Sequence, residues 1–450
     1  PDVELAQPNY IYYALETPDD PFFKLQWSLL DTGQKVISDS GHRVQGKRGA
    51  DIKIPFAWNR ATGSKDIVVA VIDSGIDYTH PDLAGNLWTN PDAGNDGYTG
   101  DVHGINAITG TGDPMDDLGH GSHVSGIIGA VGDNAVGICG INWNVSIMAL
   151  KFLDSTGSGT TDNAVTCINY VVNKKQAGVD VRVINASWGG PSNDPTLQAA
   201  IQTASDNGIL FVAAAGNGQI INRIDVPTDN DTEPMYPASF TNISGVISVA
   251  ASDMKDHMAS FSNYGKKSVH VAAPGVNILS TWPASLSGNA LPYAVLSGTS
   301  MAAPHVSGLA ALTASVNKSL TAAQIKSLIL DNADFLKLPL ITGGRINAAR
   351  TIGAAEGDKV QLSVSRQGNF TVMQATVFAE GSAQLRKNVF FYRDGKKIGN
   401  SLTGGPTSAN PGTAVLKLRD RLGNHTAFAV SAPFGDVQSM SSNIVYYTVP

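Results

Sequence analysis

Five short apolar runs, each bounded by turn-forming residues, constrain this chain most: 67–72, 147–152, 181–186, 210–215 and 246–251. Runs this short and this uniformly apolar read as strands buried on both faces. Between them, 120–131, 161–174 and 195–207 carry mixed polar and apolar residues at helical spacing. Strand alternating with helix predicts an α/β fold, a parallel sheet covered by helices on both faces. Sites in such sheets form beyond the carboxyl ends of the strands.

Composition narrows the class further. The chain has 450 residues, of which only 15% are charged, and 47 glycines. Average soluble domains carry about 25% charge, so a glycine-rich, weakly charged chain suits a compact, exported protein. The net charge of −7 argues against a nucleic-acid partner, which would want a basic face. No apolar run reaches the roughly 18 residues that a membrane span needs. The two cysteines, Cys139 and Cys167, are too few for a disulfide framework; they either pair or remain buried thiols.

Three blocks carry chemistry. Asp73 closes the apolar run Val69-Ala70-Val71-Ile72 and is followed by Ser74-Gly75. His120 opens the helical segment Gly119-His120-Gly121-Ser122-His123-Val124. Ser300 stands at the entrance of an apolar helix predicted over 301–316, within Ser297-Gly298-Thr299-Ser300-Met301-Ala302-Ala303-Pro304-His305. A serine hydroxyl needs a base to attack, and that base needs an orienting group. Asp73, His120 and Ser300 supply those roles along the chain in the order acid, base, nucleophile. His123 and His305 read as packing residues, and Pro304 as a residue of the helix's first turn. Ala213-Ala214-Ala215-Gly216-Asn217-Gly218 adds an amide side chain beside glycines.

Together these blocks resemble the subtilisin-like serine proteases, the subtilases, thermitase-like members in particular, over about 17–355. The resemblance implies a secreted endopeptidase, extracellular or periplasmic, acting on polypeptide substrates through an acyl-enzyme. It implies that Asn217 and the Ser300 N–H hold the oxyanion. Gly157, Ser158 and Gly159 would line the more distant subsites. Ser187, Trp188, Gly189, Gly190, Ala215 and Gly216 would wall the primary pocket, which holds no acidic residue and is expected to be apolar or permissive. It also implies a structural calcium held by Asp20, Asp82 and Asn134 with carbonyls near Val136 and Ile138. The cluster Asp113, Asp116 and Asp117 is either a second calcium site or a solvated acidic loop; Asp225, Asp229 and Asp231 are weaker candidates.

Residues 1–16 read as an extended arm resembling the end of a subtilase propeptide. Self-trimming between Tyr10 and Asp20 would then make the protein a zymogen and its own propeptide a partner. From about Lys359, six segments alternate apolar and polar residues every second position. A β-sandwich, immunoglobulin-like, is expected over 356–450. Two further readings compete: a non-enzymatic binding or scaffold protein that keeps a subtilase shell, and an esterase on another α/β sheet. Intact acid, base and nucleophile speak against the first. The lack of a Gly-x-Ser-x-Gly elbow at Ser300 speaks against the second.

Overall fold

The computed structural model describes residues 16–357 apart from 96, 223 and 289, and the strands of 359–449 with a few of their neighbours. The proposed arm 1–16 lies, but for Glu16, outside the described residues. The chain divides into two compact units, one of them Thr17–Ala355, the other containing Glu356–Pro450.

The larger unit opens with a hairpin, β1 (Lys35–Ile37) and β2 (Arg43–Gln45), and a short helix α1 (Ile54–Trp58). Next come β3 (Gly63–Asp73), β4 (Gly104–Asn106), α2 (His120–Gly129), β5 (Asn144–Lys151), α3 (Thr161–Gln176), β6 (Val181–Ala186), α4 (Pro195–Asp206) and β7 (Leu210–Ala214). A second hairpin, β8 (Gln219–Ile221) with β9 (Ile224–Val226), precedes β10 (Val246–Ser252) and β11 (Val271–Pro274). After them follow β12 (Ile278–Thr281), β13 (Tyr293–Leu296), α5 (Thr299–Val316), α6 (Ala322–Asp331), β14 (Asp334–Phe335), β15 (Gly344–Arg345) and α7 (Ala348–Ala355).

Nine strands form the main sheet in the order β14-β15-β11-β10-β7-β6-β3-β5-β4. From β15 to β4 all neighbours are parallel. Alternate residues of one strand face opposite layers. Val69 and Val71 pack with α2 and α5, whereas Val68, Ala70 and Ile72 pack with α3 and α4. The central helix α5 is buried around its whole circumference from Met301 to Ala314, as expected of a helix apolar on every face.

Side-chain caps set several helix starts. Thr160 accepts from the Asn163 N–H at α3, and Asp194 from the N–H groups of Thr196 and Leu197 at α4. Thr321 and Gln324 form a reciprocal capping box at α6. Both cysteines are buried and unpaired; burial pushes each thiol well above its ordinary range. Among the described residues no helix is long and apolar enough to cross a membrane.

The second unit carries β16 (Lys359–Gln367), β17 (Phe370–Ala379), β18 (Ser382–Ala383), β19 (Asn388–Arg393), β20 (Lys396–Leu402), β21 (Thr413–Leu418), β22 (Gly423–Ser431) and β23 (Val445–Val449). These form two four-stranded sheets. Leu362, Met373 and Ala375 of one share a core with Val389, Phe391 and Ala429 of the other.

Candidate active site

Asp73 ends β3 and His120 begins α2. The two elements meet because Gly121 has no side chain: a Cβ there would stand 2.1 Å from the Gly75 carbonyl oxygen. His120 Nδ1 lies 2.7 Å from Asp73 Oδ1. A carboxylate only accepts, so Nδ1 carries the hydrogen and Nε2 is left as the basic nitrogen. The Ser74 N–H donates to the same oxygen at 2.8 Å. Burial works against a charged imidazole, but the charge and hydrogen bond of Asp73, with the charge of Asp116, outweigh it; the His120 pKa is raised above 6.5.

Ser300 is the second residue of α5, which starts at Thr299, two residues earlier than the apolar pattern suggests. Its N–H therefore belongs to the first turn, where donors have no partner within the helix. Asn217 organises that turn. Its Oδ1 accepts from the Thr299 N–H at 2.9 Å and the Thr299 hydroxyl at 2.8 Å. With the carbonyl end so engaged, the Nδ2 end faces Gly298, 3.5 Å from where a Cβ would stand. Pro304 lies inside α5 rather than in its first turn. Lacking an N–H, it leaves the Ser300 carbonyl open, and the Ser187 hydroxyl donates to that carbonyl at 2.8 Å. The Ser300 hydroxyl in turn donates to the Ser187 carbonyl at 2.9 Å, so its single hydrogen is not on His120 in this structure.

A cleft of about 310 Å³ collects these groups: His120, Ser187, Trp188, Gly189, Gly157, Ala214, Gly216, Asn217 and Ser300, joined by Leu118, Leu153, Met235 and Thr299. Among the described residues no carboxylate lines it. Four expected substrate-contact residues do not line it. Ala215 continues β7 by donating to Val249 O; strand alternation turns its side chain into a separate core with Ala250 and Val269. Gly190 exchanges backbone hydrogen bonds with Tyr236 in both directions. Ser158 is held in an Asp154-centred turn, and Gly159 lies against the Phe152 ring; only Gly157 of that segment reaches the cleft. Met235, Leu153 and Leu118 carry no local signature that would mark them in the sequence.

His123 and His305 stay outside the cleft and buried. His123 Nε2 meets the carbonyls of Ile278 and Ala294, and His305 Nδ1–H donates to Met301 O. Burial holds them neutral, with pKa values lowered to about 3 and about 4.

The acidic cluster has another use. Asp116 is buried and accepts five hydrogen bonds. Its Oδ1 takes the Ser74 hydroxyl and the N–H groups of Leu118 and Gly119. Its Oδ2 takes the N–H and hydroxyl of Ser122. It thus caps α2 and, through Ser74 Oγ, which accepts from the Gly121 N–H, ties the Asp73 strand end to the His120 helix. Asp117 pairs with Lys151 at 2.6 Å, and Asp113 accepts from Tyr78. The oxygens of Asp116 are thus committed to protein donors, which disfavours a second calcium there. Its signal in the sequence was an acid just before a helix start.

Asp20, Asp82 and Asn134 converge at the loop after α2. Asp82 accepts from Asn134 Nδ2, the Ile138 N–H and the Tyr293 hydroxyl. Asp20 Oδ2 accepts from the Asp133 N–H, while its buried Oδ1 has no partner among the described residues. The Val136 N–H closes onto Asn134 Oδ1. Asp133, Ala135 and Gly137 all take left-handed backbone angles. Burial raises the pKa of both carboxyls, that of Asp20 to about 6. Among the described residues no group of three His, Cys, Asp or Glu could hold a metal. A cation here would rest on two carboxylates, an amide oxygen and main-chain carbonyls. That all-oxygen set fits calcium and not zinc.

Comparison with known proteins gives the family. The family model described as "Subtilase family" matches residues 64–391. A thermophilic serine proteinase of Bacillus sp. (strain AK1) is 38% identical over 335 residues, 74% of this chain and 68% of that protein. Thermitase of Thermoactinomyces vulgaris is 37% identical over 306 residues, 67% of this chain and 93% of that protein. The chain spans about half, 55%, of subtilisin-like protease 1 of Plasmodium berghei (strain Anka), at 34% identity. A solved protease from Pseudoalteromonas arctica PAMC 21717 superposes with a TM-score of 0.57 at 30% identity, covering 76% of this chain and all of that one. A cleft lined by a helix-start serine and by an imidazole held on a buried strand-end carboxylate, and a family match over most of the chain, have one reading: this protein belongs to the subtilase family of serine proteases.

Proposed function

We propose that the chain is an exported endopeptidase that cleaves polypeptides through Ser300, with His120 as base and then acid and Asp73 as its orienter. The observation that carries this is one cleft holding Ser300, Asn217 and an imidazole whose Nδ1 is fixed on a buried carboxylate. In the reaction, His120 Nε2 takes the Ser300 proton as Oγ bonds to the scissile carbonyl carbon. The Asn217 amide and the Ser300 N–H stabilise the oxyanion. The imidazolium, steadied by Asp73, then returns the proton to the leaving amine. Water repeats the sequence on the acyl-enzyme. The apolar lining favours uncharged side chains before the cut.

Asp20, Asp82 and Asn134 would hold a structural calcium that neutralises the buried carboxylates; it supplies no chemistry to the cleft. Residues 1–16 would be a propeptide remnant that the enzyme trims. Casein hydrolysis blocked by a sulfonyl fluoride, and absent in Ser300→Ala, tests the central reading. Turnover persisting in that variant would overturn it. N-terminal sequencing after incubation tests the trimming. A new start between Ile11 and Asp20 in the active protein only supports it; an unchanged Pro1 in a fully active protein overturns it.

A further inference from the structure

The β8–β9 hairpin begins two residues after Asn217, and it exposes four large aliphatic side chains, Ile220, Ile221, Ile224 and Val226. Every residue of its two strands is exposed. Ile221 pairs with Ile224, and Gln219 with Val226. Strand alternation puts Ile221, Ile224 and Val226 on one face, with exposures of 49%, 66% and 39%. On the other face Ile220 is 77% exposed, beside Asp225, which accepts from Ser260. An isolated two-stranded ribbon is marginal in water, and aliphatic side chains gain stability only when buried. The fold does not bury these.

The hairpin is continuous with the cleft. A Cβ on Gly218 would stand 2.2 Å from the Val226 carbonyl oxygen, so both strand ends close at the residue after Asn217. The cleft's own added walls, Leu118, Leu153 and Met235, are apolar as well. Among the described residues the ribbon pairs with no other strand, which leaves its edges open to an extended peptide.

Resting on the endopeptidase reading above, we infer that this hairpin is an accessory substrate-binding element that takes aliphatic side chains flanking the scissile bond, directing the enzyme to apolar stretches of unfolded polypeptide. The test uses two fluorogenic peptides alike at the scissile bond, one flanked by Val, Leu and Ile, the other by Ser, Asn and Gln. The full chain is assayed beside Ile221→Ser/Ile224→Ser, with Ile224→Ser alone as the milder variant. Active enzyme is counted by sulfonyl fluoride titration.

The expected result is a KM about tenfold lower for the apolar peptide, the discrimination that roughly one buried methylene supplies. Both variants should lose that preference with kcat retained. Equal KM values in the unmodified protein would overturn the inference. So would a preference surviving in the variants, or a variant effect confined to concentration-dependent association in sedimentation, which would mean that the face pairs two copies. Failure of the endopeptidase reading would look different: neither peptide cut, and no labelling of Ser300.

Discussion

Ser187 and Ser300 exchange hydrogen bonds in both directions: the Ser187 hydroxyl donates to the Ser300 carbonyl, and the Ser300 hydroxyl donates to the Ser187 carbonyl. The pair exists because Pro304 has no N–H to offer that carbonyl. It fixes the cleft wall against the start of α5. Ser187→Ala leaves the part-buried Ser300 carbonyl without this donor, a loss of about 0.5–1.5 kcal/mol, the net worth of one hydrogen bond. The melting temperature should fall, and KM should rise more than kcat drops. Ser187→Ala with wild-type stability would mean that the contact is incidental.

Asn217 has two separable duties. Its Oδ1 holds Thr299, and its Nδ2 is the proposed oxyanion donor. Asn217→Asp keeps an acceptor for Thr299 and removes the donor. It should melt near the wild-type temperature while kcat falls about 100- to 1,000-fold, the range for one such donor. Asn217→Ala should lose both activity and stability. A defect of Asn217→Asp confined to KM would make the residue a substrate-positioning group.

The acid limb of kcat/KM reports free His120. Its pKa is raised above 6.5, and only the neutral ring accepts the Ser300 proton. Activity is therefore full above that pKa and lost as pH falls through it, with a midpoint above 6.5. Asp116→Asn removes one negative charge that raises it and turns an N–H₂ toward a donor. The midpoint should move to lower pH and kcat should drop, with KM little changed. An unmoved acid limb in Asp116→Asn would reduce Asp116 to a plain helix cap.

Calcium that binds only the folded protein stabilises it by mass action, about 2.7 kcal/mol at a hundredfold excess over its dissociation constant. Chelator should lower the melting temperature of the wild type, and much less that of Asp82→Ala. Equal sensitivity in the two would place the metal elsewhere.

The strands and helices of the central sheet, and the three side chains proposed to react, were legible in the sequence because each has a local signature. Asp73 ends an apolar run, and His120 and Ser300 stand at helix starts. Periodicity is a property of neighbours along the chain, so the amino-acid order alone determines it. Only the tertiary structure decided what depends on residues far apart. Asp116 became a clamp because folding brings Ser74, 42 residues away, onto its carboxylate. Pro304 became useful inside a helix because Ser187 arrives to satisfy the carbonyl it abandons. Ala215 left the cleft because β10 continues its ladder, and Met235 entered the lining without a motif to announce it. Hydrogen-bond partners and apolar lining are chosen by proximity in space, which no local pattern encodes.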